Sequence, residues 1–176
     1  MVIACHHNHL FEDRPPPCPP PPSGEGSGRG RDGRDPPRWQ QDFARWCIDA
    51  GASIYVGHGA PRLNGIEIHR GRPIFYNLGN FIFQTATAPG YYDDEVWHGV
   101  IAECRFEGSR FVKARLTPLR LNTEGVGGPG HLPTRGLPSL ARAAAAEAIL
   151  PRLASLSQPF GTVIQHRGET AILRPD

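Results

Sequence analysis

The sequence contains no Cys-x-x-Cys pair, and its four cysteines, Cys5, Cys18, Cys47 and Cys104, are too scattered to spell a zinc finger or a redox motif. They read as free thiols acting as small apolar side chains in a reducing compartment. No run of about 18 apolar residues occurs, so nothing written here predicts a membrane span. The N-terminus also lacks the charged-then-apolar pattern of a secretion signal, and as written the chain is expected to be cytoplasmic. Charge of one sign is missing too: 19 Lys and Arg against 17 Asp and Glu leave a formal +2. That field is too weak to imply nucleic acid, and the arginines are dispersed outside residues 29–34. No internal repeat is visible. At 176 residues one domain is expected, with about half of the chain sharing a core.

Proline and glycine are abundant and clustered. Pro15-Pro16-Pro17-Cys18-Pro19-Pro20-Pro21-Pro22 predicts extended polyproline II, and residues 23–34 alternate Gly with polar residues, which cannot bury a core. Residues 12–35 are therefore expected to be a disordered insert, either a solvated linker or a ligand for a proline-recognising module.

Elsewhere the periodicities are clear. Val2-Ile3-Ala4 is strand-like. Asp35-Pro36-Pro37 resembles a helix start with Asp35 as N-cap, and Trp39, Phe43, Trp46, Cys47 and Ala50 recur at helical spacing as the expected core face. Core packing suits the two tryptophans better than a ligand platform, because they share the spacing of the other apolar positions. Gly51 is the expected C′ residue. Residues 53–56, 66–68 and 73–76 predict strands, the last two joined at Arg70-Gly71-Arg72. Residues 96–106 and 111–119 give the strongest hairpin signal. Residues 122–134 predict a loop, and residues 140–156 a helix that Pro151 should kink or split. A strand pair over 161–165 and 169–173, turning at Arg167-Gly168, completes the chain.

The chemistry rests on histidines. The first strand closes on Cys5-His6-His7-Asn8-His9, and the strand at 53–56 delivers Gly57-His58-Gly59 to its C-terminal end, where α/β proteins place reactive groups. His7 and His9 alternate onto one face, which suits chelation of a divalent metal by neutral imidazole, whereas His6 points away. Glu67 lies between Ile66 and Ile68 and opposes them, so by itself it reads as an exposed strand carboxylate. Asn80 follows Gly79 and by itself reads as a turn residue. His69, His98, His131 and His166 are expected to be solvated or packed.

Taken together, Ile48-Asp49-Ala50-Gly51-Ala52, Gly57-His58-Gly59-Ala60-Pro61, Gly65-Ile66-Glu67-Ile68 and Gly71 to Phe81 resemble the capsule-synthesis CapA (poly-γ-glutamate biosynthesis) family, a branch of the calcineurin-type metallophosphoesterase fold. His7-Asn8-His9, Arg135-Gly136-Leu137-Pro138 and Ser157-Gln158-Pro159-Phe160-Gly161-Thr162 extend the resemblance. It implies an α/β fold, sandwich-like in the α+β sense: a partial calcineurin-like domain with a C-terminal β-hairpin and helix. Residues 1–11 would be a strand ending in the histidine cluster, 36–121 the core, with the strands at 66–68 and 73–76 at a sheet edge, and 122–176 a C-terminal loop, helix and strand pair of the same domain.

The resemblance also implies His7 and His58 as metal ligands, His9 as a substrate-side or acid/base histidine, and Glu67 facing the site as a partner of a ligand or an acid/base group. For Asn80 it implies a buried hydrogen-bonding role at a catalytic site. Two ligands of one ion should bring their ring nitrogens within roughly 3–5 Å. Two departures accompany it. The family's domain begins with upstream Asp- and Asn-bearing elements, so this sequence is expected to start mid-domain, and Pro61 stands where the family has a second histidine. Manganese, zinc or iron is therefore expected to bind weakly. Three functions follow: a metal-dependent hydrolase acting on a polyanionic polymer or a phosphorylated or acyl small molecule, a non-catalytic accessory of cell-surface polymer assembly, or a truncated product without function. A half-domain should expose a sheet face or edge carrying residues 2–4 and 54–56, and so self-associate.

Overall fold

The computed structural model describes residues 1–7, 35–128 and 130–175. The insert expected at 12–35 thus lies outside the described residues but for Asp35, as does His9.

Among the described residues, two sheets and two α-helices form the mixed α/β architecture expected. The first sheet has the order β1-β2-β4-β3, built from β1 (Ile3–His7), β2 (Ile54–His58), β4 (Arg72–Phe75) and β3 (Ile66–His69). β1, β2 and β4 are parallel, and β3 folds back antiparallel on β4. Of the two strands expected at an edge, β3 is outermost and β4 interior. The second sheet is antiparallel: β5 (His98–Glu107), β6 (Arg110–Leu121), β9 (Thr170–Leu173) and β8 (Ile164–Arg167), with the short β7 (Pro138–Leu140) also on β6. The β5–β6 hairpin starts at His98 because Val96 and Trp97 belong to a 3₁₀ turn, Asp94–Trp97. In the terminal pair, Gly161 is a left-handed cap at φ 72°, so β8 begins only at Ile164.

Helix α1 (Arg38–Asp49) lies on one face of the first sheet. Its N-cap is Pro37, without a side-chain cap, and not Asp35: the carbonyl of Pro37 accepts from the amides of Gln40 and Gln41 at 3.0 and 3.1 Å. At the other end Gly51, φ 110°, occupies C′; its amide bonds the Ile48 carbonyl while that of Ala52 bonds Cys47, a Schellman closure. The buried stripe is Gln40, Ala44 and Ile48, four apart, while Trp46 stays 64% and Phe43 39% exposed. The aromatic face expected in the core is thus displaced. The sheet itself presents the bulk, Tyr55 and Tyr76 (both 0% exposed), so the helix side of that contact must be small.

On the opposite face Ile54, Ile66 and Phe75 pack with Phe111, Leu116 and Leu173 of the second sheet and with Ile149, Leu150 and Leu153 of α2 (Ala143–Ser157). α2 runs unsplit through Pro151 and starts three residues later than expected, because Leu140 pairs with Leu119 in β7 and the Ala141 amide bonds Pro118. Ile54 and Tyr55, expected on an exposed face, are buried at 6% and 0% because both faces of β2 are covered; Val2 and Ile3 are exposed. Cys5, Cys47 and Cys104 are free thiols, and burial pushes Cys104 up to about 11, which keeps it protonated and inert. No helix among the described residues is long and apolar enough to cross a membrane.

Candidate functional site

Parallel pairing in register sets Ile3 against Ile54 and, four residues on, His7 against His58. Both histidines therefore leave the carboxyl ends of adjacent strands from the same face, and their Nδ1 atoms lie 2.9 Å apart with the rings stacked at 4.9 Å. That separation is a hydrogen bond when one Nδ1 carries the proton. It is also the spacing of two nitrogens about 2.05 Å from one ion at an angle near 90°. The distance alone is therefore open to either arrangement, and no group of three or more His, Cys, Asp or Glu able to hold a metal occurs among the described residues. A dinuclear centre has no bridging carboxylate in that set.

Gly57 makes the approach to His58 feasible. A Cβ there would sit 2.3 Å from the Tyr76 carbonyl and 2.7 Å from Nε2 of Gln40, so only glycine lets α1 and β4 close around the strand end. His6, of opposite parity, turns to α1, where its Nδ1 is 2.9 Å from the Tyr55 hydroxyl and its ring meets Trp39 and Phe43. Burial pushes the Tyr55 phenol up to about 12, so the phenol stays neutral.

Glu67 is neither exposed nor on the histidine face. It aligns with Ile74 and Tyr55 across the sheet, a row that projects toward α1, whereas His58 shares the parity of Val56 and Phe75. The carboxylate is 6% exposed and fully engaged: Arg45 grips it with Nε at 2.8 Å and Nη2 at 3.1 Å, and the Tyr76 hydroxyl donates at 2.6 Å. Hydrogen bonding to Glu67 raises Arg45, and burial followed by the Glu67 contact raises Tyr76 far above the ordinary phenol range.

Asn80 is half-buried and ties the turn to its neighbours: its Nδ2 donates to the carbonyls of Val96 at 2.9 Å and Pro61 at 3.5 Å. The residue that sequence reasoning missed is Asn77, 3% exposed. Its Nδ2 donates to the Ala60 carbonyl in the loop after His58, at 2.9 Å, and its Oδ1 accepts from the Gly79 amide at 2.9 Å. That Asx turn clamps the loop after His58 to the turn bearing Asn80, and Asn-x-Gly was its signal.

A second polar cluster surrounds His98, 5% exposed, whose Nε2 accepts from Nη1 of Arg120 at 2.6 Å and lies 3.2 Å from Asp94. Burial first, then Arg120, lowers its pKa; burial and His7 do the same to His6. A depressed pKa in the folded state means that the unfolded chain binds the proton first as pH falls below about 6.5. Stability should therefore be complete above that pH and decline below it. The thermal midpoint is expected to drop between pH 7 and 5, with a shallower drop in His98→Gln; equal slopes would remove His98 as the cause.

A mixed sheet covered on both faces, with imidazoles at the carboxyl ends of parallel strands, is consistent with a metallophosphoesterase-like α/β fold. Over residues 29–85, which span α1, β2 to β4 and the turn bearing Asn77 and Asn80, the sequence matches the family described as Bacterial capsule synthesis protein PGA_cap. The PGA biosynthesis protein CapA of Bacillus subtilis is 51% identical over 49 residues, 28% of this chain and 13% of its own. The capsule biosynthesis protein CapA of Bacillus anthracis is 42% identical over 52 residues, 30% of this chain and 12% of its own. Uncharacterized protein y4sH of Sinorhizobium fredii is 34% identical over 183 residues, covering 82% of this chain. The chain spans 39% of the length of that relative. Over residues 29–85 the chain thus carries the sequence pattern of the capsule-synthesis family, and within that region it is similar to the CapA proteins.

Proposed function

We propose that the chain contributes part of a metal-assisted hydrolytic site to cell-surface polymer synthesis, with His7 and His58 as the imidazoles that hold one divalent ion. The observation that carries this reading is their 2.9 Å approach at adjacent strand ends. Such an ion would polarise a phosphoryl or acyl oxygen of a polymer or small-molecule substrate. Within the chain, Gly57 and the Asn77 clamp fix where His58 points, and Asn80 holds the neighbouring turn.

A second reading, a non-catalytic binding member of the same pathway, is favoured by Pro61 at the family's second histidine position and by Glu67 being engaged on the other face. Titration calorimetry with manganese and zinc tests the metal site. A single weak site, micromolar or poorer, is expected, weakened at least tenfold in His58→Ala. Two sub-micromolar sites, or affinity unchanged in His58→Ala, would defeat the assignment. Hydrolysis of a generic phosphodiester that depends on both manganese and His58 would favour the catalytic reading; metal binding without turnover favours the accessory one.

A further inference from the structure

Three arginines converge at the end of the first sheet opposite to His58. β4 starts at Arg72 and runs parallel to β2, which ends at His58, so the two residues mark opposite ends. There the β3–β4 turn meets the β5–β6 turn around a cavity of about 400 Å³, lined by Arg70, Arg72, Ser109, Arg110, Phe111 and Pro175. None of the described residues that line it is acidic.

The charges in its wall are incompletely balanced. Arg70 Nε is 3.1 Å from Asp49, a carboxylate that His69 also engages. Arg110 pairs with Glu107 on the surface. Arg72, half-buried, donates Nη1 to the Ala52 carbonyl at 2.6 Å and has no carboxylate partner among the described residues. A guanidinium carries five donors in a fixed fork, so one carbonyl leaves most of the Arg72 fork unused. The bond to Ala52 holds the fork in place, which lowers the ordering cost of binding. Arg70 itself occupies a left-handed conformation, φ 50°, followed by Gly71 at φ 71°, a turn in which Asn-Gly is the favoured pair. A cationic side chain stands where the turn alone would favour asparagine.

We propose that this cavity is an oxyanion site, which takes a carboxylate or phosphate group of a small ligand or chain end with Arg72 as its fixed anchor and Arg70 and Arg110 closing on it. Guanidinium forks match both groups bidentately. The site is separate from the histidine pair and needs no metal.

Titration of the 176-residue protein with pyrophosphate and with citrate, followed by calorimetry and amide chemical shifts, tests it. At least one probe should bind once, at sub-millimolar affinity and more weakly as salt rises, with the largest shifts at Gly71 and Ser109. The better probe identifies the preferred oxyanion. Arg72→Gln should weaken binding at least tenfold. Arg110→Gln, at a 66% exposed side chain whose loss leaves the fold intact, should weaken it about threefold to tenfold. Arg115→Gln, on an exposed pair with Glu103, should change nothing. No binding of either probe at 10 mM, affinity unchanged in both Arg72→Gln and Arg110→Gln, or shifts centred elsewhere would overturn the proposal.

Discussion

Glu67→Ala is expected to lower the unfolding free energy by about 3 kcal/mol while leaving manganese or zinc affinity within twofold of the parent. The carboxylate is 6% exposed and accepts both arms of the Arg45 fork and the Tyr76 hydroxyl. Truncation leaves that hydroxyl, on a residue 0% exposed, without an acceptor, a loss of about 1–3 kcal/mol by itself. Arg45 loses its partner as well. Its side chain is 37% exposed and can recover some hydration, so the penalty falls at the low end of the range for a broken buried pair. Glu67→Gln keeps the shape and an acceptor and should restore about half of the loss. Urea unfolding paired with metal titration separates the alternatives: a tenfold fall in metal affinity at unchanged stability would place Glu67 in the metal site after all.

Glu67 also shows what a sequence conveys and what it withholds. Alternation with Ile66 and Ile68 gave its parity correctly, but parity does not say which face a helix will cover, and α1 covers this one. The same limit applies to α1. Its 3.6-residue period and its glycine stop were readable, yet the stripe that touches the sheet is Gln40, Ala44 and Ile48, because Tyr55 and Tyr76 already fill the contact from the other side. Hydrophobicity alone favoured Phe43 and Trp46. The hairpin of β5 and β6 was legible because its contacts are local and its turn carries Gly108-Ser109. The short β7 was not, since three residues pair only after β6 supplies an edge. The meeting of His7 and His58 was expected from two strands each ending in histidine. Their register required the long-range pairing of residues 51 apart. Asn77 looked like turn text, and its role emerges only when the loop after His58 lies against it.

The 176-residue chain on its own is expected to self-associate through β1 and the flank of α1. β1 is the outermost strand of its sheet among the described residues, and an outer strand presents unpaired amides and carbonyls to any second strand. The side chains around it are apolar and open: Met1 is 80% exposed, Val2 61%, Ile3 54% and, on α1, Trp46 64%. Phe43 stacks on Trp46 and touches His6, so the aromatic flank is continuous with the strand. No acidic residue lies on residues 1–7 to repel a second copy. Antiparallel pairing of two β1 strands about a two-fold axis would join the sheets and cover the same patch on both chains, the isologous arrangement that symmetric dimers favour. Sedimentation at about 100 µM should give a mass above the monomer, and Ile3→Lys combined with Trp46→Glu should raise the dissociation constant at least tenfold, since each charge would be buried unpaired in the joint. The thermal midpoint of the parent should rise with protein concentration, by mass action, and that of the double variant should not. A parent chain that sediments as a monomer throughout and melts cooperatively at a concentration-independent temperature would show that this edge is tolerated in water without a partner.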